Sequence, residues 1–151
     1  MPEPRPVPRL AARAVIVEDG QLLLVNAFAG PHTTLWCAPG GGAEMGASLP
    51  DTLIREVFEE TGLTIAVGDP CLVNEFHAPE RHFHQVEVFF RAQVTRGTLD
   101  PGWRDPEDIV TDRRWVTYTE MAALRVKPDS LADVAFGVGF AYDPLERLIN
   151  P

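Results

Sequence analysis

Residues 40–63 read GGGAEMGASLPDTLIREVFEETGL, and the reading of this stretch decides the fold. Within it, Arg55-Glu56-Val57-Phe58-Glu59-Glu60 gathers three carboxylates into five positions. The pattern predicts a helix over roughly residues 48–61. Ser48 can cap it, with Asp51 at a capping-box-like spacing, Pro50 is tolerated in the first turn, and Thr61-Gly62 stops it. Leu49, Leu53 and Val57 recur every four residues as the buried stripe, and Ile54 and Phe58 widen it. Residues three and four apart on a helix are neighbours, so Glu56 meets Glu59 and Glu60 at the border of that stripe. Such like charges repel by about 0.2–0.5 kcal/mol per pair. A hard divalent cation would relieve the repulsion, because Mg²⁺ takes oxygen ligands, keeps several waters and shares its shell with substrate phosphates. The plainer alternative is a solvated acidic face on a helix of good helix formers. Pro39-Gly40-Gly41-Gly42 argues for a built site, since its backbone can adopt positive φ and expose its peptide groups.

The segment resembles the Nudix box. That pattern is a Gly, five residues, a Glu, seven residues, then Arg-Glu-aliphatic-any-Glu-Glu-any-Gly-aliphatic. Counting from Gly41, Arg55-Glu56, Val57, Glu59-Glu60, Gly62 and Leu63 fall in register without a gap. One position departs: Ala47 stands where the first Glu is expected. The resemblance covers residues 41–63 and implies an α/β fold, a Nudix-like α/β/α sandwich with a mixed β-sheet between helices.

The remaining sequence sets outer limits. A 151-residue chain that is 45% hydrophobic can bury one core, so residues 10–151 are expected to form a single domain behind a Pro-rich leader at 1–9. Thirteen basic against twenty-two acidic side chains leave a net charge of −9, which argues against a nucleic-acid partner. A bound cation would invert the local field for a phosphate substrate. MPEPRPVPRL has no apolar core of a signal peptide, and no run approaches the ~18 apolar residues of a membrane span. A cytoplasmic location without membrane contact is therefore expected. Cys37 and Cys71 sit in apolar contexts and read as small packing residues.

Along the chain, LAARAVIVE and QLLLVNAF flank Asp19-Gly20, a strong hairpin signal, and AGPHTT is read as a loop before a short strand at Leu35–Ala38. TIAVG and CLVNEF read as strand pieces broken at Gly68-Asp69-Pro70, and HFHQVEVFFRAQV as the longest strand. Residues 95–112 form a polar loop of a length that often carries function. A last strand is expected at Arg114–Tyr118, a helix capped by Thr119, and another near Pro128-Asp129-Ser130. Only short structure is expected from Phe136 onward.

By resemblance, the reaction is hydrolysis within the phosphate chain of a nucleoside diphosphate derivative, with Mg²⁺ as cofactor and Mn²⁺ as possible substitute. Glu56, Glu59 and Glu60 are the expected metal ligands, joined by the Gly40 carbonyl, and Arg55 would orient Glu59. Glu107 and Asp108 are candidates for a general base outside the box, with Asp105 and Asp112 competing. Glu87, flanked by valines, reads as a strand carboxylate paired with an arginine, or as an extra ligand. Arg13, Gly41, Phe76 and His77 are candidate substrate contacts, and Arg13 could instead pair with an acid. Trp36, Phe28 and Phe76 could stack a base or fill the core. His77, His82 and His84 lack a closing ligand for zinc and read as rim or core residues. Pro79, sixteen positions past Leu63, matches some ADP-ribose-cleaving Nudix subgroups; nucleoside triphosphates and nucleotide sugars stay open. Loss of a carboxylate at Ala47 also leaves open a catalytically weak nucleotide sensor. A homodimer is a possible assembly.

Overall fold

The computed structural model describes residues 6–30 and 34–149. Asp19 and Gly20 both take positive φ, 51° and 76°, which matches the tight turn a two-residue hairpin needs. They join β1 (Arg9–Glu18) to β2 (Gln21–Asn26). The chain continues through β3 (Leu35–Cys37), β4 (Gly40–Gly42), α1 (Leu49–Thr61), β5 (Thr64–Ala78) and β6 (Phe83–Arg96). It closes with β7 (Arg113–Val116), α2 (Tyr118–Met121), β8 (Arg125–Val126), α3 (Leu131–Ala135) and β9 (Ala141–Arg147).

The strands order as β8-β3-β2-β1-β6-β5-β9, with β4 on β1 and β7 on β2. β1 and β6 run parallel, as do β5 with β9 and β3 with β8, while the other pairs are antiparallel. The sheet is therefore mixed, and each face buries its own core. On one side Leu53 and Val57 of α1 pack with Ala12, Ile16, Leu23 and Phe90. On the other, Met121, Leu131 and Ala135 from the α2–α3 region pack with Leu24, Leu72 and Phe89. This is the expected sandwich of helices about a mixed sheet.

α1 forms as its capping residues dictate. Ser48 Oγ accepts the Asp51 N–H at 3.1 Å, and Gly62 ends the helix at φ 77°. Ile54 and Phe58 do not widen the buried stripe: they are 38% and 47% exposed, and Thr52, Glu60 and Thr61 are buried instead. The stripe is rotated toward the glycines of β4, so a carboxylate is taken inside.

Four local expectations need correction. β5 is one strand of 15 residues rather than two pieces, with register shifts around Pro70 absorbing the Gly-Asp-Pro segment as a bulge. It, not the 14-residue β6, is the longest strand. Thr117 rather than Thr119 caps α2, in a full capping box with Glu120. The tail is not merely short structure: β9 is a 7-residue edge strand parallel to β5. Of the Pro-rich leader, residues 1–5 lie outside the described residues, as do residues 31–33 of the loop before β3.

The segment 97–112 is a fastened loop. Asp105, only 4% exposed, accepts the N–H groups of Glu107, Ile109 and Val110 through its two carboxylate oxygens. Asn26 reaches across from β2, donating to Ile109 O and accepting from Thr111 and Asp112 N–H. Arg113 donates to the Glu60 and Val110 carbonyls. Trp103 supplies the remaining clamp: its indole N–H donates to Glu59 O at 2.9 Å, and its ring meets Phe58 edge-on at 5.3 Å. Gly62 permits this approach, because a Cβ there would stand 2.8 Å from the indole.

Trp103→Ala removes that clamp from a half-buried position. A loss of about 2 kcal/mol of unfolding free energy in urea is expected, with faster proteolysis within residues 97–112. A change below about 0.5 kcal/mol with unaltered cleavage would contradict the clamp.

Candidate functional site

The site begins with the glycine strand β4. Gly40 has φ 152°, and a Cβ on it would lie 2.0 Å from the Ala12 carbonyl oxygen, so this close pairing with β1 admits only glycine. Its N–H donates to Glu60 Oε1 at 2.8 Å, drawing the α1 carboxylate inside the fold, where the residue is 7% exposed. Its carbonyl accepts from Arg13 Nη1 at 3.2 Å. Gly41 leaves room for the next carboxylate: a Cβ there would sit 2.6 Å from Glu56 Oε2.

Behind the glycines lies a buried charge network. Arg13 Nε bonds Glu87 Oε2 at 2.6 Å, and its Nη1 also donates to Ala38 O at 3.3 Å. Gln85 Nε2 donates to the same Glu87 oxygen at 3.1 Å. Burial opposes charge on Arg13, but the Glu87 carboxylate outweighs it and holds the guanidinium firmly protonated. Of the two readings of Arg13, the acid pairing is the one formed, and its acid is Glu87. Burial pushes the Cys37 thiol up to about 12, so it stands in the wall as a neutral group.

Burial and neighbouring acids define the electrostatics of α1. Burial raises the Glu60 pKa to about 8, against the opposing pull of Arg13 and the Gly40 N–H, with Glu56 and Asp105 adding repulsion. Burial also raises Glu56, Arg55 opposing it and Glu59 and Glu107 adding to it. Glu59 faces outward, and Arg55 Nη1 approaches it at 3.4 Å and Glu56 at 3.2 Å. Arg55 also feels Glu44, three residues before the exposed Ala47.

A cavity of about 330 Å³ opens over this cluster. Its lining includes Gly40, Gly41, Glu56, Glu60, Glu87 and Glu107 at one part, and Phe28, Phe76 and Phe83 at others. The structure thus brings Arg13, Gly40, Gly41, Glu56, Glu60, Phe76 and Glu107 around one space. It does not bring Asp108, which pairs with Arg104 at the surface, 3.2 Å away. Nor does it bring His77: strand alternation turns its ring to the opposite face, 6.2 Å from that of His84. Trp36 packs against the core beneath the Arg114 guanidinium and is absent from the lining.

Among the described residues, no three His, Cys, Asp or Glu side chains form a ready-made metal cage. The donors still suit a hydrated hard cation. Mg²⁺ is commonly held by one or two carboxylates plus waters and substrate phosphates, and Glu56 and Glu60 are two poorly neutralised carboxylates on an open cavity. Glu59, held by Arg55 on the helix surface, is not part of the cavity lining.

The sequence reading missed Asn74, Gln85, Trp103 and the Asn26 clamp. For Asn74 a local signal existed: it is a polar residue at an inward position of a strand face otherwise made of Leu72, Phe76 and Ala78, whereas Gln85 shares its face with Glu87 and Arg91. Trp103 and Asn26 left no such signal.

The NUDIX domain profile matches residues 7–134. Over 97 residues the chain is 30% identical to the ADP-ribose pyrophosphatase of Methanocaldococcus jannaschii, covering 63% of this chain and 56% of that protein. The chain spans about half the length of the curated relatives it matches. Its fold is similar to that of a NUDIX hydrolase from Nitrosomonas europaea, with TM-score 0.70, 22% identity, and 85% and 86% of the two chains covered. It is also similar to the mutator MutT protein from Bacillus halodurans, with TM-score 0.68, 21% identity, and 89% and 86% covered. A box read in register from Gly41 to Leu63, the sandwich that carries it and a profile match over most of the chain agree, and the chain belongs to the NUDIX domain family.

Proposed function

We propose that this chain is a Mg²⁺-dependent hydrolase that cleaves a pyrophosphate bond in a nucleoside diphosphate derivative, with ADP-ribose the first substrate to test. The observation that carries this reading is Glu60: a carboxylate buried beside Glu56 and tied to the Gly40 N–H, at the wall of a cavity. Strongly perturbed carboxyl groups in a cleft mark functional sites, and a bound cation would take the place of the Glu60 proton. The name of the M. jannaschii relative supports the choice of ADP-ribose.

Glu56 and Glu60 would hold Mg²⁺, with Glu59 and the Gly40 carbonyl as further candidate donors. When bound, the ion would neutralise phosphate charge and lower the pKa of water. Arg55 orients Glu56 and Glu59 from the helix surface. Arg13 pairs with Glu87 and fixes the β4 backbone through the Gly40 carbonyl. Glu107, on the clamped loop at the cavity wall, takes the proton of the attacking water. The water oxygen bonds to one phosphorus as the bridging P–O bond breaks, and ADP-ribose yields AMP and ribose 5-phosphate. Such transfers depend on positioning and charge neutralisation more than covalent catalysis.

Chromatographic detection of the nucleoside monophosphate formed from ADP-ribose, nucleotide sugars and (d)NTPs, with Mg²⁺ or Mn²⁺, tests the assignment. Turnover of at least one of them is expected, with Glu56→Gln and Glu60→Gln lowering kcat about 100-fold or more. Glu107→Gln should lower kcat about 10²- to 10⁴-fold with KM little changed. Nucleotide binding without turnover of any of them would replace the enzyme by a sensor.

The pH dependence of stability follows from Glu60. Its folded pKa is raised to about 8, so the folded state holds a proton that the unfolded chain has released. That contribution is fully present at acidic pH and is lost as pH rises toward about 8. The Tm of the metal-free protein should therefore fall from pH 5 to pH 8, added Mg²⁺ should offset the fall at pH 8, and Glu60→Gln should flatten the slope. An unchanged slope in Glu60→Gln would contradict the assignment.

A further inference from the structure

Among the described residues, two buried side-chain atoms lack a hydrogen-bond partner, Thr52 Oγ1 and Asn74 Oδ1. Thr52 lies on α1 away from the cavity, whereas Asn74 is part of its lining. Asn74 is 2% exposed and sits in the middle of β5, directly opposite Glu87 on β6 and level with Asp143 on β9. Both neighbouring acids are already engaged. Glu87 accepts from Arg13 and Gln85, and Asp143 accepts from the Ser130 N–H and hydroxyl. Folding has therefore placed a carboxamide inside the cavity wall without pairing its oxygen. A buried polar group left this way is destabilising, and such an exception calls for an explanation.

The surroundings indicate the ligand. Phe76 follows two residues later on the same face of β5, and Phe83 stands against it with ring centroids 6.0 Å apart. A carboxamide presents a donor and an acceptor side by side in one plane, the complement of a nucleobase edge. Aromatic rings beside it offer the apolar contact that a base plane requires. We propose that Asn74 is a specificity-determining residue that reads the nucleobase of the substrate by hydrogen bonding, with the base lodged against Phe76 and Phe83. The proposal rests on the hydrolase reading for the placement of the diphosphate near Glu56 and Glu60, but the base contact can be measured without turnover.

The test compares the wild-type protein with Asn74→Leu, similar in size and without polar atoms. Calorimetry measures binding of AMP, GMP, CMP and UMP, and of ribose 5-phosphate, which has no base. The expected result is binding of at least one nucleoside monophosphate by the wild type, a loss of 10-fold or more in Asn74→Leu, unchanged affinity for ribose 5-phosphate, and a Tm equal to or above that of the wild type. A purely structural role for Asn74 would instead lower the Tm. The proposal is overturned if the wild type binds none of the four, if Asn74→Leu binds them equally well, if ribose 5-phosphate is weakened in parallel, or if the Tm falls. Failure of the hydrolase reading has a separate signature: base-dependent binding that needs Asn74, with no pyrophosphate bond of any nucleotide cleaved.

Discussion

One constraint organises the site: the Glu60 carboxylate must reach the Gly40 N–H from inside the fold. Meeting it requires a glycine that can lie 2.0 Å, by its missing Cβ, from the Ala12 carbonyl, and a helix rotated to bury an acid. The rotation sends Ile54 and Phe58 toward solvent, contrary to what apolar periodicity alone implies. Trp103 then covers Phe58 and ties the 97–112 loop to the helix by the Glu59 carbonyl. Glu107 is held at the cavity wall through the same loop, by its N–H to Asp105. A buried carboxylate with a pKa raised to about 8 is thus the centre from which helix, glycine strand and loop take their positions.

The cost of this arrangement is electrostatic. Arg13 stands near Glu60 but is committed to Glu87 and to the Ala38 and Gly40 carbonyls, so its charge is shared before it reaches α1. Arg55 lies outside, 42% exposed at its side chain, and serves Glu56 and Glu59. The protein therefore keeps two cations near its acids while burial still raises Glu56 and takes Glu60 up to about 8. The −9 net charge of the chain adds to the unneutralised negative field around these acids.

How much of this could be read from the residues depends on sequence separation. The hairpin at Asp19-Gly20, the Ser48 cap and the Gly62 stop are short-range and were legible, as was the box from Gly41 to Leu63. The sandwich followed from the box through resemblance. The Arg13–Glu87 pair spans 74 positions and Trp103–Glu59 spans 44, so no local periodicity records them. β9 escaped because Gly137, Gly139 and Pro144 disguise a strand whose pairing comes from distant β5. His77 was misplaced for a reason the residues did contain: Asn74 and Phe76 share one face of β5, and the next residue must turn to the other.

The proposed hydrolase needs a protonated Glu60 that gives way to a cation, and titration calorimetry with Mg²⁺ at pH 7 in buffers of different ionisation enthalpy measures that exchange directly. Metal binding to an acid of raised pKa displaces its proton, so release of about one proton per bound ion is predicted, and little or none for Glu60→Gln. Binding with no proton release by the wild-type protein, or the same release from Glu60→Gln, would contradict the account.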